Sequence, residues 1–441
     1  MKAKIIYLLL ASILVLASCN QTHEAQITEK ASNDLEGEIT FWHSFTQGPR
    51  KEYIQKKAEE FMKKHPKVQI NIETFAWPEF HTKWTTGVQA GQVPDISTAL
   101  PNDVSLMVAA DVISNVDNII NDIGKEKFYK GPLKEGEKNG HYYALPLYSH
   151  AQVMWYRKDL LEEVNEKVPQ TWDDFQRVTD KISKKGTYGI SVPMGVGDMM
   201  ATRFLNFYVR SHREKLIKNG KADLTNKVAI DGINYWVDRY RKSSPKGSIN
   251  FKILDQATLF YQGKTAFDFN SGFQILGVAT NSKDLLSKIS AAPIPREKSS
   301  DKVTGIETTN VPIVVWKQSK HKDISRAFLK ELYNKDDYVK FLLSAPGGML
   351  PVIKGISDST KFQSNPIVKQ FNVEISMIEK QISEGSAIGM EDGPKVEASI
   401  LTTQSIIEEM FQEIITTNIS TEDAAKKAEE KLNRQFKIIK G

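Results

Sequence analysis

Residues 38–72 carry two strand-like segments separated by one amphipathic helix, and this unit limits the fold more than any other stretch. Ile39 and Phe41 alternate with polar neighbours, as do Val68, Ile70 and Ile72, the period-two pattern of a half-buried strand. Between them Ile54, Ala58, Phe61 and Met62 stand at i, i+4, i+7 and i+8, one apolar stripe on a helix that Pro66 ends. Strands joined through a helix pair in parallel, and a parallel sheet is covered by helices. An α/β fold is therefore expected. Ligands bind beyond the carboxyl ends of such strands, which puts Trp42, His43 and Ser44 forward as binding residues.

The pattern repeats along the chain. Pro78 suits the first turn of a helix that Gly91 closes, and Pro94-Asp95-Ile96 opens another strand, with Asp95 expected near a strand end. At 441 residues the chain is too long for one core, so two lobes are expected. The segment Gly140–Phe175 reads as the passage between them. Pro146 stops an extended run, Tyr148-Ser149-His150 follow it, and Thr171 with Asp174 forms a helix N-cap. Met199–Arg213 is a predicted helix with Arg203, Arg210 and His212, and Asn270-Ser271-Gly272-Phe273 is a loop after a strand. Ala291–Pro295 with Val303-Thr304-Gly305 reads as a return crossing and Pro346–Pro351 as a third. This gives an N-terminal lobe of residues 38–147 plus 306–348 and a C-terminal lobe of 148–305 plus 349–441.

The amino terminus points to a location. Lys2 and Lys4 precede an apolar run from Ile5 to Leu16, too short for the ~20 residues that span a bilayer. Leu16-Ala17-Ser18-Cys19 then resembles a lipobox. Residues 1–18 are expected to be a signal peptide, Cys19 a lipidation site, and 19–37 a polar tether with a reach of about 23 Å. The protein would then sit outside the cell membrane, on its outer face. Cys19 is the only cysteine, which excludes an internal disulfide or a catalytic thiol elsewhere. A formal charge of +5, or 5 − 2 = +3 without Lys2 and Lys4, is too small and too dispersed for a nucleic-acid binder.

No catalytic motif stands out. Ser44 beside His43 and Ser149 beside His150 lack a nucleophile elbow, and there is no Walker loop, dinucleotide fingerprint or HExxH. The chain is read as a non-enzyme without a cofactor. Asp223, Asn226 and Asp231 are scattered oxygen ligands without EF-hand spacing, which leaves a structural calcium as the one metal to test. What remains is aromatic residues beside small polar or charged ones. Sugars present apolar C–H faces ringed by hydroxyls, which aromatic plates and Asp, Asn, Arg or Ser groups match. Trp42, Tyr148, Asn270 and Phe273 fit that chemistry, and Trp155, Trp172 and Trp316 are assigned to the core.

Ordered segments carry a resemblance over most of residues 38–435. They are Ile39-Thr40-Phe41-Trp42, Gly91–Ile96, Tyr143–Pro146 with Met154–Leu160, Val168–Phe175, Phe260–Ala266 and Ser420–Leu432, together with the lipobox. The chain resembles the sugar-binding lipoproteins of bacterial ABC importers, the solute-binding family that includes maltose-binding proteins. The resemblance implies a two-lobed periplasmic-binding-protein-like fold of class II, with a cleft between the lobes and three hinge crossings. It also implies a monomer that closes on a mono- or oligosaccharide and delivers it to membrane permease subunits. Glu307, Gly348 and Asp392 join the expected ligand set. One departure stands at Phe273-Gln274, where the family often has a tryptophan. Arg203 and His212 near the cleft suggest an acidic, uronate-containing sugar. A secreted glycan-cleaving enzyme and a surface adhesin or sensor remain the alternatives.

Overall fold

The computed structural model of the protein describes residues 35–46, 48–302 and 306–440. The expected signal peptide and Cys19 lie outside these residues. Of the segment expected as a tether, Leu35 is buried in the core and Gly37 already begins a strand; residues 19–34 lie outside those described. Among the described residues no helix is long and apolar enough to cross a membrane.

Fourteen strands are described. In chain order they are β1 (Gly37–His43), β2 (Val68–Thr74), β3 (Ile96–Thr98), β4 (Ile113–Ser114), β5 (Glu137–Lys138), β6 (His141–Tyr142) and β7 (Leu145–Ala151). They continue as β8 (Val153–Arg157), β9 (Tyr188–Ile190), β10 (Ile217–Lys218), β11 (Lys221–Ala222), β12 (Thr265–Asn270), β13 (Ile289–Ala292) and β14 (Thr308–Trp316). The first sheet runs β2-β1-β3-β14-β4, with β7 paired to β14. The second runs β13-β8-β12-β9. β1 is parallel to β2 and β3, as the opening unit requires, but β14 is antiparallel to β3, β4 and β7. The sheet is therefore mixed, because β14 returns from the other lobe rather than through a helix of its own. Of the expected return crossing, Ala291 and Ala292 still lie in β13, paired with β8; the chain leaves that sheet after Ala292 and joins the first at Thr308, and Val303-Thr304-Gly305 lie outside the described residues.

Side-chain alternation assigns the strands to their cores. In β8, Val153 and Trp155 join the apolar cluster that includes Phe41, Ile39 and Phe328, whereas Met154 joins the second-lobe cluster around Trp236 and Phe411. The helix Asn372–Glu384 packs on both β7 and β13, and its Ile375, Ile378 and Ile382 fall in the first of these clusters. Residues 349–384 thus pack against both sheets, whereas the sequence had placed them in the second lobe alone.

Three chain passages meet at Ser149. It stands opposite Asn310 in the β7–β14 ladder, and it exchanges backbone hydrogen bonds of 2.9 Å in both directions with Leu350. The first passage does not occur at Pro146. β7 runs through that proline and the chain changes sheets only at Gln152, whose N–H donates to Glu307 O at 3.0 Å. Pro146 faces Pro312, and the register slips between Val311 and Pro312, since neither proline has an N–H to give the ladder. Two tyrosines supply donors instead: Tyr333 Oη to Pro146 O at 2.5 Å and Tyr338 Oη to Leu147 O at 2.6 Å.

Candidate functional site

The carboxyl end of β1 feeds the loop before the helix Gly48–Lys64, and this loop carries one wall of the site. Alternation turns His43 to the same face as Phe41, beside Phe45 at 5.2 Å between ring centroids. Arg50, in the first turn of the helix, places its guanidinium carbon 5.2 Å from the centre of the Phe45 ring and 5.3 Å from that of Phe273. Phe273 comes from the other lobe, at the start of the helix Phe273–Asn281 after β12. Its ring stands edge-on to Tyr148 at 6.5 Å and to His150 at 5.8 Å. First lobe, hinge strand and second lobe therefore meet at one aromatic and cationic cluster.

Glycine makes that approach possible. A Cβ on Gly272 would lie 1.9 Å from Gly347 O, and one on Gly348 would lie 2.5 Å from the Phe273 ring. The third hinge passage packs this tightly against the second lobe only without side chains. Gly348 belongs to the site as the seat of Phe273.

A charged band continues from the cluster. Arg203 and Arg210 are seven residues apart on the helix Met200–Ser211, and Asn206 lies between them on the same face. Arg203 Nε donates to Glu307 Oε1 at 2.8 Å, both groups being buried. Arg210 donates to Ser386 O at 3.0 Å and lies 3.6 Å from Glu391. Burial, then Arg203 and Arg50, push His150 down to about 3. Burial, then Lys51 and Arg50, push His43 down to about 4. Both imidazoles are neutral at physiological pH and offer one donor and one acceptor each. Burial raises Glu307 against the pull of Arg203.

Several buried polar atoms here have no hydrogen-bond partner among the described residues: His43 Nε2, Ser44 Oγ, His150 Nδ1, Glu307 Oε2, Glu391 Oε2 and both amide atoms of Asn206. A buried polar atom left unpaired costs about 1–3 kcal/mol. Their gathering around the cluster and band makes this region the candidate for holding a polar ligand.

The family described as bacterial extracellular solute-binding protein matches residues 47–339. The chain belongs to that family. Among its relatives, YcjN of Escherichia coli, whose name gives it as an ABC transporter periplasmic-binding protein, is 22% identical over 377 residues, 83% of either chain. The maltotriose-binding protein of Pyrococcus abyssi is 23% identical over 342 residues, 76% of this chain and 71% of that one. In structure the chain is similar to maltose-bound MalE3 of T. maritima, with a TM-score of 0.75, 19% identity, and coverage of 90% of this chain and 98% of the other. A solute-binding protein of Thermotoga lettingae bound with α-D-tagatose gives 0.77 at 18% identity, covering 90% and 99%. The fold is thus the two-lobed, class II α/β fold of these proteins.

Within this solute-binding protein the sequence candidates separate. His43, Ser44, Tyr148, Arg203, Phe273, Glu307 and Gly348 come together in or against the cluster and band. Trp42 does not: alternation turns it to the opposite face of β1, into a core with Phe80, Trp84 and Val104. Asp95 precedes β3, at its amino end, and its carboxylate accepts from Thr40 N at 2.8 Å and Ser319 Oγ at 2.6 Å. His212 caps the far end of its helix, stacked on Tyr208 at 4.3 Å and bonded to Tyr208 O at 2.7 Å. Asn270 Oδ1 accepts from Ser271 N at 2.8 Å and its amide leans to Asp268, which makes it a loop brace. Asp392 is exposed and paired with Lys215 and Lys395, while its neighbour Glu391 turns inward.

The calcium candidates have other partners. Asp223 pairs with Lys218, Asp231 with Lys227, and Asn226 caps the helix Lys227–Ser243 through Ala229 N. Among the described residues no group of three or more His, Cys, Asp or Glu is placed to hold a metal. Sequence reading missed Arg50, Asn206, Arg210 and Glu391 as site residues. For Arg210 the signal was present, since it lies two turns from Arg203 on one predicted helix. For Arg50 there was none, because a lysine- and arginine-rich first turn reads as a solvated surface.

Proposed function

We propose that this protein is the ligand-capturing component of an ABC importer and that its ligand is an acidic mono- or oligosaccharide, held as the lobes close. Supporting this reading is Arg50, which stacks on Phe45 and Phe273, lies near Tyr148 and makes no ion pair among the described residues. A guanidinium with donors to spare, framed by aromatic rings, suits the carboxylate and C–H face of a uronate. Arg203 is the weaker candidate for that role because Glu307 already engages it. The maltotriose-binding relative and the maltose bound in a similar structure support a saccharide as the ligand; its acidic character rests on Arg50.

Calorimetry with a galacturonate disaccharide and a neutral disaccharide of the same length tests the charge. Arg50→Ala should lower uronate affinity by about 10- to 100-fold, the worth of a charged hydrogen bond, and leave any neutral binding unchanged. Wild-type protein that prefers the neutral sugar refutes the acidic ligand.

The protein works as a monomer tethered through acylated Cys19 to the outer face of the cell membrane, where two permease subunits receive the closed form. Cys19→Ala should appear unacylated in the medium; retention on the membrane refutes the anchor.

A further inference from the structure

One set of bonds between the lobes runs through a short segment after the helix Asn372–Glu384. Glu135, just past the short helix Lys130–Lys134 of the first lobe, is buried. Its Oε1 accepts the N–H of Ala387 at 3.0 Å, and its Oε2 accepts the side-chain amide of Asn310 in β14, which is in turn bonded by Ser149 of β7. Asn102, in the first turn of the helix Pro101–Ala109, donates to Ala398 O at 3.2 Å, Thr402 Oγ1 at 3.0 Å and Ile388 O at 3.4 Å. Ile388 and Leu401 belong to the second-lobe core. Two first-lobe side chains thus grip consecutive residues, Ala387 and Ile388; Ser386 just before them is bridged to Glu307 and accepts from Thr308 N at 3.2 Å at the start of β14, and from Ile388 onward the chain enters the second-lobe core.

Charge is not balanced there. The charged group facing Glu135 is Arg210, from the helix Met200–Ser211, while Asn310 and Ala387 are neutral. Arg210 is shared with Glu391 and Glu307, and Arg203 also serves Glu307. Two guanidiniums therefore face three carboxylates, of which Glu135 and Glu307 are buried and Glu391 is half-buried. Both hydrogen bonds favour the ionised acid, whereas burial and the excess of carboxylates favour a proton; on protonation the Asn310 amide must turn over, so that its Oδ1 accepts the Glu135 O–H and its Nδ2 donates to Ser149 Oγ.

We propose that Glu135 is a positioning residue of the closed cleft, and that closure of the lobes is coupled to uptake of one proton on its carboxyl group. Opening parts Ala387 from Glu135 and lets water reach the acid, returning it to ordinary carboxylate behaviour. In the closed form burial pushes Glu135 up to about 7. The raised group favours closure fully below about pH 4 and loses that contribution as pH rises to 7, after which it is flat. The proposal does not depend on which sugar, or whether any sugar, is the ligand.

Hydrogen-exchange mass spectrometry on the ligand-free chain tests it, following peptides across 385–404 with rates corrected for the chemical effect of pH. Protection should fall about fivefold from pH 6 to pH 7 and less than about twofold from pH 7 to pH 8. Glu135→Gln, which keeps the shape of the protonated acid, should hold its protection level across this range. Asn102→Ala should lower protection of 396–403 at every pH while keeping the step. Corrected protection that is constant in wild type, or a step that persists in Glu135→Gln, overturns the proposal. Should Glu135→Gln not fold, the wild-type and Asn102→Ala profiles decide it, since both must show the step.

Discussion

At the residue scale, one strand decides two neighbours in opposite ways. Trp42 and His43 adjoin at the end of β1, and the two-residue period sends His43 toward Phe45 and Trp42 into the core. Trp42→Ala should therefore cost about 3–5 kcal/mol of stability, read by chemical denaturation, and leave saccharide affinity of the folded protein within about twofold. Affinity lost without stability would return Trp42 to the site. His150, held down to about 3 by burial and the arginines, should stay neutral in an NMR titration from pH 5 to pH 8. A midpoint inside that range would refute its burial beside Arg203. The residue types at the site were legible in the sequence, but not which face of a strand or which end of a helix each would occupy. Asp95 shows the difference: an acid beside a strand was visible, whereas its capture by Thr40 and Ser319 depends on a partner 224 positions away.

At the element scale, the hinge is a ladder interrupted by facing prolines. Tyr333 and Tyr338 replace the missing donors at Pro146 O and Leu147 O, so Tyr333→Phe and Tyr338→Phe should each destabilise by about 1–2 kcal/mol. Denaturant melts that match wild type would show that these bonds contribute nothing. Gly272→Ala meets Gly347 O, so it should keep both sheets but lower ligand affinity at least about tenfold, because the third passage must move away from the second lobe. Unchanged affinity in calorimetry would refute that close approach. The helices were the most legible elements, since caps and stripes are local: Thr171 accepts from Asp174 N as expected. The crossings were less legible. A strand that serves two lobes has the same local pattern as one that serves a single sheet, so β7 ran past Pro146 where a stop was expected.

At the scale of the molecule, buried acids set the response to pH. Burial pushes Asp268 and Glu408, like Glu135, up to about 7. Each has a folded value above its unfolded one, so its stabilising contribution is complete below about pH 4 and is lost as pH rises through 7. Asp122 and Asp174, held low chiefly by hydrogen bonds from Arg326 and Arg177, act in the opposite sense and lose their contribution only as pH falls below about 4. His43 and His150, held down to about 4 and about 3, oppose the three acids by losing their contribution as pH falls through about 6.5. With three raised acids against two lowered imidazoles the melting temperature should still decline from pH 5 to pH 8; a rise over that interval would contradict these burials. The sequence by itself determined the α/β class, most helices and the family, because periodicity, capping and ordered motifs are properties of neighbouring residues. Only the tertiary structure decided that β14 runs antiparallel, that Arg50 and Phe273 meet across the cleft, and that Glu135 reaches Ala387. β14 finds its partners only after the chain has passed through the other lobe, and the last two pairings join residues more than two hundred positions apart, where the two lobes meet and exclude water.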